Sequence, residues 1–156
     1  MRTRQVGTSG LRVSRLGLGT MTWGRDTSPR DADALFGAFR NAGGNFVDTA
    51  AAYGHGEVEK LLGAIVAKAG CRDDIVIATK AGFVVRDGAR VVDTSRRTLL
   101  DDLTASLRRL RTDAVDLWQV HAWGEAPIEE TLAALDHAVT AGMARYVGVS
   151  NFVGWQ

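Results

Sequence analysis

Asn45-Phe-Val-Asp-Thr-Ala-Ala-Ala-Tyr-Gly-His-Gly56 is a short apolar run that ends on a carboxylate and continues into a loop with a tyrosine. Other β-rich runs precede and follow it, and amphipathic segments of helical length lie between them. Successive runs end 29 to 41 residues apart, which is enough for a strand, a helix and two loops. The spacing therefore predicts a βα repeat with parallel strands. The predicted strands are residues 16–19, 45–48, 75–79, 115–120 and 146–150.

The segments between these runs have the periodicity and the end signals of α-helices. Ser28 and Pro29 supply an N-cap and a first helical residue, and Gly43 ends the first helix. The fourth helix begins at Pro127 and ends at Gly142. Apolar residues spaced three and four apart predict one buried face on each helix. These predicted core positions are Leu35, Phe36 and Phe39, then Val58, Leu61, Leu62 and Ile65, then Leu99, Leu103, Leu107 and Leu110, and finally Ile128, Leu132, Leu135 and Val139.

Two α/β architectures contain five parallel strands covered by helices. An open doubly wound sheet that binds nucleotides needs Gly-x-Gly-x-x-Gly after its first strand, and Gly17-Leu-Gly-Thr-Met-Thr22 lacks the third glycine. A (β/α)8 TIM barrel needs roughly 250 residues, so this chain supplies about five of the eight units. The pattern favours the barrel, with a small hairpin of residues 3–6 and 11–13 before the first parallel strand. We predict that residues 1–156 form a single partial barrel domain that ends inside the fifth helix.

Composition argues against several classes of function. The chain has 19 basic and 18 acidic residues, so its net charge of +1 indicates no nucleic acid and no membrane surface as a partner. No apolar run approaches the roughly 18 residues of a membrane span. Cys71 is the single cysteine, which fits a reducing, cytoplasmic location. His55, His121 and His137 lack the spacing of metal ligands, so we predict no metal site.

The predicted strands end on groups that are capable of chemistry. Asp48, Lys80 and His121 supply a carboxylate, an amine and an imidazole, and Ser150 and Asn151 follow the last strand. Parallel strands bring their C-terminal ends to one face, where barrel enzymes have their active sites. Any one of these residues has an ordinary explanation, such as a helix cap or an exposed loop charge. Together on one rim they are costly unless they pair or react, which predicts an active site.

Tyr53 lies five residues after Asp48, on a loop short enough to bring its phenol over this rim. A phenol has a pKa of roughly 10 and is a poor acid at neutral pH, but a nearby ammonium group stabilises its phenolate. Asp48, Lys80 and Tyr53 are therefore predicted to form a relay, and His121 to donate a hydrogen bond to a carbonyl oxygen. Such a set suits carbonyl reduction. A Schiff base on Lys80, as in aldolase-type barrels, is a weaker alternative.

Six motifs follow one another along nearly the whole chain. They are the stretch 45–56 quoted above, Leu61-Leu-Gly63, Ala78-Thr-Lys80, Ser106-Leu-Arg-Arg-Leu-Arg-Thr-Asp113, Val115-Asp-Leu-Trp-Gln-Val-His121 and Arg145-Tyr-Val-Gly-Val-Ser-Asn-Phe152. In composition and order they resemble the signatures of the aldo-keto reductase family. This resemblance implies a (β/α)8 TIM barrel and NADPH as the cofactor, with NADH as the second option. It also implies a small-molecule aldehyde or ketone that is reduced to an alcohol.

The resemblance also implies roles for individual residues. Tyr53 corresponds to the proton donor, Lys80 and Asp48 to the groups that tune it, and His121 to the group that orients the carbonyl. The residues implied to contact the cofactor are Gly19, Thr20, Met21, Asp48, Ser150 and Asn151, and those implied to line the substrate pocket are Trp23 and Trp123.

A few positions depart from the usual family pattern. Val58 precedes Glu59 where the family commonly has serine, which weakens a helix cap rather than the chemistry. Met143 replaces a frequent lysine, and Gly124 stands where related sequences often have an acid. None of these changes touches the four catalytic residue types.

By the same resemblance, three further βα units carry the aromatic that stacks on nicotinamide and a basic segment that binds the adenosine phosphate. An unclosed barrel leaves strand edges unpaired near residues 16–19 and 146–150, which predicts self-association or a completing C-terminal half.

Two functions stay open. One is an NADPH-dependent carbonyl reductase, and the other is a non-catalytic or truncated barrel that acts as a nucleotide-binding or interaction subunit.

Overall fold

The computed structural model describes residues 1–156 and contains nine β-strands and four α-helices. The strands are β1 (Thr3–Gln5), β2 (Arg12–Ser14), β3 (Gly17–Gly19), β4 (Phe46–Asp48), β5 (Val76–Ala81), β6 (Phe83–Arg86), β7 (Ala89–Val92), β8 (Val115–Val120) and β9 (Ala144–Val149). The helices are α1 (Pro29–Asn41), α2 (Glu57–Ala69), α3 (Arg96–Leu110) and α4 (Ile128–Thr140). Short 3-10 turns lie at Tyr53–Gly56 and Arg72–Asp74.

Five strands form the central sheet in the order β3-β4-β5-β8-β9, and every neighbouring pair is parallel. The register places Gly19 beside Asp48, and Asp48 beside Ala78. Lys80 pairs with Gln119 on the next strand. The C-terminal ends of the strands therefore lie level with one another, as the sequence predicts. The sheet and its helices confirm the α/β class and a partial barrel.

Two antiparallel hairpins accompany this sheet. The first pairs β1 with β2 and confirms the predicted N-terminal hairpin. The second pairs β6 with β7 and was not predicted. Its turn contains Asp87 and Gly88, both with positive φ values of 52° and 77°, a conformation typical of a tight hairpin turn. This second hairpin directly follows β5, so it lies at the end of the sheet that carries the strand-end residues.

The helices pack one face against the sheet, but three predicted core residues are exposed. The Ser28 hydroxyl accepts a hydrogen bond from the Asp31 amide and caps α1, as predicted. Leu35, Leu132 and Val139 were predicted to be buried, yet they are 48%, 51% and 40% exposed. The reason is that the buried face of each helix is centred on a neighbouring stripe of residues. On α1 these are Ala32 and Phe36, and on α4 they are Thr131, Ala134, Leu135 and Ala138.

The two end strands of the sheet, β3 and β9, each have one unpaired edge. Leu16, Val147 and Val149 are exposed near these edges. Self-association or completion by a C-terminal half stays a prediction. The last residues form a turn in which the Gln156 amide donates to the Val153 carbonyl, and the predicted end of the domain inside a fifth helix also stays a prediction. None of the helices has the length and apolar character of a membrane span.

Candidate active site

The structure brings the predicted catalytic residues to one cleft. Asp48 is the last residue of β4, Lys80 lies near the end of β5, and His121 follows β8 directly. Tyr53 begins the 3-10 turn before α2. The cleft has a volume of about 760 Å3. Its lining residues are Met21, Arg25, Asp48, Ala52, Tyr53, Gly54, Lys80, Phe83, Arg90, His121, Ala122, Ser150 and Asn151.

Lys80 and Asp48 form a closely held ion pair. The Lys80 ammonium donates to both carboxylate oxygens of Asp48, at 2.8 and 2.7 Å, and to the Thr49 carbonyl at 2.9 Å. All three donors of the ammonium are therefore engaged. Thr20 fixes the backbone behind this pair, because its hydroxyl and its amide both donate to the Asp48 carbonyl. These contacts hold the Lys80 cation in one position at the rim.

Tyr53 lies beside this cation. The Lys80 nitrogen is 5.3 Å from the centre of the Tyr53 ring, and the same ring meets His121 edge to face at 5.9 Å. Gly54 and His55 have left-handed backbone conformations, with φ values of 54° and 53°. The chain therefore bends directly after Tyr53, whose side chain lines the cleft.

His121 is a neutral imidazole with one accessible ring nitrogen. Burial lowers its pKa from 6.5 to about 4, and the positive charges of Lys80 and Arg90 act in the same direction. At neutral pH the ring is therefore uncharged. Nδ1 is buried and makes no hydrogen bond within the chain, so Nε2 is the nitrogen available to a ligand in the cleft. The Phe83 ring packs against the imidazole at 4.6 Å.

Ser150 and Asn151 complete the rim beyond His121. The Asn151 side-chain nitrogen donates to the His121 carbonyl at 2.9 Å and to the Ser150 hydroxyl at 3.1 Å. The Asn151 carbonyl oxygen and the Ser150 hydroxyl remain able to bond a ligand amide. Met21 also lines the cleft, whereas Thr20 is fully buried and Gly19 is not part of the lining.

The two tryptophans predicted at the substrate pocket lie apart from this cleft. Trp23 is almost fully buried and lines a neighbouring cavity of about 620 Å3, which shares Met21, Arg25 and Gly54 with the cleft. Trp123 packs against Phe152 at 5.2 Å and Trp155 at 6.1 Å. The structure therefore groups the four catalytic candidates but does not bring either tryptophan into the same lining.

Sequence reasoning missed Phe83 and Arg90, which line the cleft from the second hairpin. A signal was present, because Asp87-Gly88 between valine-rich runs is typical of a two-residue hairpin turn. The Arg90 guanidinium carbon lies 3.7 Å from the centre of the Phe83 ring. The chain contains no group of three or more His, Cys, Asp or Glu side chains that could hold a metal ion.

A second ion pair lies behind the site, between α2 and α3. Glu59 is fully buried and accepts hydrogen bonds from the Arg109 guanidinium at 2.6 Å and from the Thr79 hydroxyl at 2.5 Å. Thr79 directly precedes Lys80 on β5. Arg109 also donates to the Ser106 hydroxyl at 3.1 Å. The strand that carries Lys80 is thus tied to both helices.

The sequence of residues 15–156 matches the Aldo/keto reductase family. The chain is 35% identical to an aryl-alcohol dehydrogenase [NADP(+)] of Phanerodontia chrysosporium, over 94% of this chain and 43% of that protein. It is 36% identical to a probable voltage-gated potassium channel subunit beta of Oryza sativa subsp. japonica, over 100% of this chain and 48% of that protein.

Among solved structures, the chain is similar to an aldo-keto reductase from Bacillus halodurans in its holo form. The TM-score is 0.89 and the identity 37%, over 97% of this chain and 51% of that one. The chain spans about half the length of the relatives it matches. On these matches and on its fold, the chain belongs to the aldo/keto reductase family of oxidoreductases.

Proposed function

We propose that the chain carries the catalytic rim of an NADPH-dependent reductase that converts aldehydes or ketones to alcohols. The observation that carries the proposal is the Lys80 ammonium, which is held by Asp48 beside the Tyr53 ring, with a neutral His121 packed against the same ring. This arrangement supplies an acid, a cation that supports it and a hydrogen-bond donor in one cleft.

Tyr53 acts as the proton donor. When it gives its proton to the carbonyl oxygen, a phenolate forms, and the nearby Lys80 charge stabilises that phenolate. Asp48 holds Lys80 in this place through two hydrogen bonds. A carboxylate at this position keeps the ammonium from moving into the cleft, so the cation acts on the phenol and not on the substrate.

His121 orients the carbonyl group. A neutral imidazole that carries its hydrogen on Nε2 donates one hydrogen bond to the carbonyl oxygen and thereby stabilises the negative charge that develops there. A protonated imidazole would place a second cation next to Lys80, and the low pKa of His121, about 4, keeps that form out of the neutral range.

The residues at the end of β9 fit the nicotinamide end of the cofactor. Ser150 and Asn151 retain a hydroxyl and a carbonyl oxygen for the carboxamide group, and Met21 and Asp48 line the same cleft. When bound, the nicotinamide supplies the hydride. We propose NADPH over NADH because one relative of this chain is named for NADP(+).

We also propose a cytoplasmic location, which suits the free, buried thiol of Cys71.

The geometry disfavours Lys80 as a Schiff-base nucleophile. A nucleophilic amine must be neutral and able to move toward a carbonyl carbon. The Lys80 nitrogen instead makes three hydrogen bonds, to two carboxylate oxygens and one backbone carbonyl, and is almost fully buried.

A second candidate is a nucleotide-binding subunit without turnover. It is favoured by the similarity to the rice protein named as a potassium channel subunit, which matches along the whole chain. Under this reading the rim binds NADPH, and the state of the nucleotide affects a partner.

Replacing Tyr53 with phenylalanine separates the two candidates. If the chain is a reductase, Tyr53→Phe lowers carbonyl-dependent NADPH oxidation by roughly 10²- to 10⁴-fold and leaves NADPH binding intact. Tyr146→Phe is the matched control, because the only other tyrosine lies on β9 outside the cleft lining. Folded protein that binds NADPH but reduces no member of a broad aldehyde and ketone panel would favour the binding subunit.

A further inference from the structure

The active-site cleft carries one cation that the chain does not neutralise. Arg90, on β7, lines the cleft and contacts the face of the Phe83 ring. None of the ten ion pairs of the chain includes Arg90. The other two cations of the lining are paired: Lys80 with Asp48 and Arg25 with Asp26.

Arg90 is held by stacking, which leaves its hydrogen-bond donors free. A guanidinium that lies flat on an aromatic ring directs its N–H groups outward in the plane of the fork, where they can bond a carboxylate through two hydrogen bonds. One acid, Asp102, lines an adjoining cavity together with Arg90. Asp102 accepts from the Gly82 amide at 3.0 Å, and none of the ion pairs of the chain joins Asp102 to Arg90.

The position of Arg90 relative to Tyr53 and His121 limits how far apart the carbonyl and the acid group of a substrate can be. Phe83 contacts Arg90 on its face and His121 at 4.6 Å, so one aromatic ring separates the guanidinium from the imidazole. The charge of Arg90 also contributes to the low pKa of His121, so its field reaches the carbonyl-binding nitrogen. A molecule whose carbonyl meets Tyr53 and His121 can therefore reach Arg90 with a group a few bonds away.

We propose that Arg90 selects carbonyl substrates that carry a carboxylate, with the acid group a few bonds from the carbonyl. This inference rests on the proposed function and deepens it by naming the substrate class. In it, Arg90 binds the carboxylate and takes no part in proton transfer. The remaining residues of the rim act on the carbonyl as described above.

The test compares 4-formylbenzoate with its methyl ester, which differ in charge but share the aldehyde. Binding is measured by calorimetry with NADP+ present, because the oxidised nucleotide cannot reduce the aldehyde. We expect the acid to bind the wild-type chain more tightly than the ester, and Arg90→Gln to weaken binding of the acid by roughly 10- to 100-fold with little change for the ester. Arg90→Lys should restore part of the preference, because it keeps the charge but not the fork.

Arg86→Gln is the matched control, because Arg86 lies on the same hairpin, pairs with Asp93 and does not line the cleft. It should keep the preference for the acid. Equal binding of acid and ester by the wild type, or a preference that survives in Arg90→Gln, would overturn the proposal. The proposal would also be overturned if Arg90→Gln weakened the binding of NADP+ and of both aldehydes equally. That result would show that Arg90 binds the cofactor and not the substrate.

Failure of the proposed function gives a different result. In that case neither aldehyde supports NADPH oxidation, while the calorimetric preference for the acid still reports whether Arg90 binds carboxylates. If the ester is reduced as efficiently as the acid, the reductase stands and the proposed substrate class falls.

Discussion

Two ion pairs lie on opposite sides of β5, at adjacent positions of the strand. On the cleft side Lys80 pairs with Asp48, and on the helix side Thr79 bonds Glu59, which pairs with Arg109. The Lys80 side chain is 8% exposed and that of Asp48 is 32% exposed, whereas the Glu59 side chain is not exposed at all. The Arg109 side chain is 21% exposed. The first pair therefore borders a cleft, and the carboxylate of the second pair is enclosed by protein.

This difference in exposure indicates that one ion pair has a catalytic role and the other a structural role. An enclosed pair contributes to stability and has no contact with a ligand. Removing one partner lowers the free energy of unfolding, because it leaves an uncompensated charge in the protein interior. A pair at a cleft still meets solvent or a ligand, so its field can act on a phenol and a carbonyl group. We therefore expect changes on the cleft side to affect rate, and changes on the helix side to affect stability.

The largest expected effect is on the reaction rate, and it is found by replacing Lys80 and Thr79, which are neighbours on β5, in separate variants. Lys80→Met removes the cation beside Tyr53, and we expect carbonyl-dependent NADPH oxidation to fall by roughly 10²- to 10⁴-fold. Thr79→Val removes only the hydrogen bond to Glu59, so the rate per folded molecule should stay within a few-fold while the free energy of unfolding falls by about 1–3 kcal/mol. Steady-state rates and urea unfolding of both variants make the comparison. Equal losses of rate would contradict the division between the two sides.

Breaking the enclosed pair gives the next largest effect, on stability. Glu59→Gln leaves the Arg109 charge without its partner, and we expect the free energy of unfolding to fall by about 3–5 kcal/mol. Glu57→Gln is the control on the same helix, because the exposed pair between Glu57 and Lys60 is expected to contribute less than about 1 kcal/mol. Chemical denaturation of both variants measures the difference. Similar values for the two would show that enclosure of the pair does not matter.

The cleft side of this comparison was predictable from sequence, and the helix side largely was not. Asp48, Lys80 and His121 end strands that the chain order alone makes parallel, so their meeting follows from the βα repeat. The pairing of Glu59 with Arg109 depends on how α2 and α3 pack, which periodicity does not specify. The exposure of Leu132 has the same cause, because an apolar stripe predicts a face and not the neighbour that covers it.

The tight contact between α2 and α3 offers a third test. A Cβ at Gly63 would lie 2.5 Å from the Arg109 carbonyl and 2.8 Å from the Leu110 backbone. We expect Gly63→Ala to push the helices apart and to lower the free energy of unfolding by about 1–3 kcal/mol. Gly37→Ala is the control within α1, where a Cβ would meet nothing within 4 Å, and it should raise stability by up to about 1 kcal/mol through helix propensity. Thermal unfolding distinguishes them, and a stabilised Gly63→Ala would mean that the helices do not pack this closely.

The last expected effect, which is absent at neutral pH, is a pH dependence on the cleft side. The pKa of His121 falls from 6.5 to about 4 on folding, so between these values the unfolded chain binds a proton that the folded chain does not. Stability should therefore decrease as the pH falls from 6.5 toward 4, and His121→Gln should remove this part of the decrease while carboxylates elsewhere titrate equally in both proteins. Urea unfolding across this range measures the difference between the two curves. Parallel curves would mean that His121 titrates alike in both states, and the neutral imidazole assigned to carbonyl binding would then lose its physical basis.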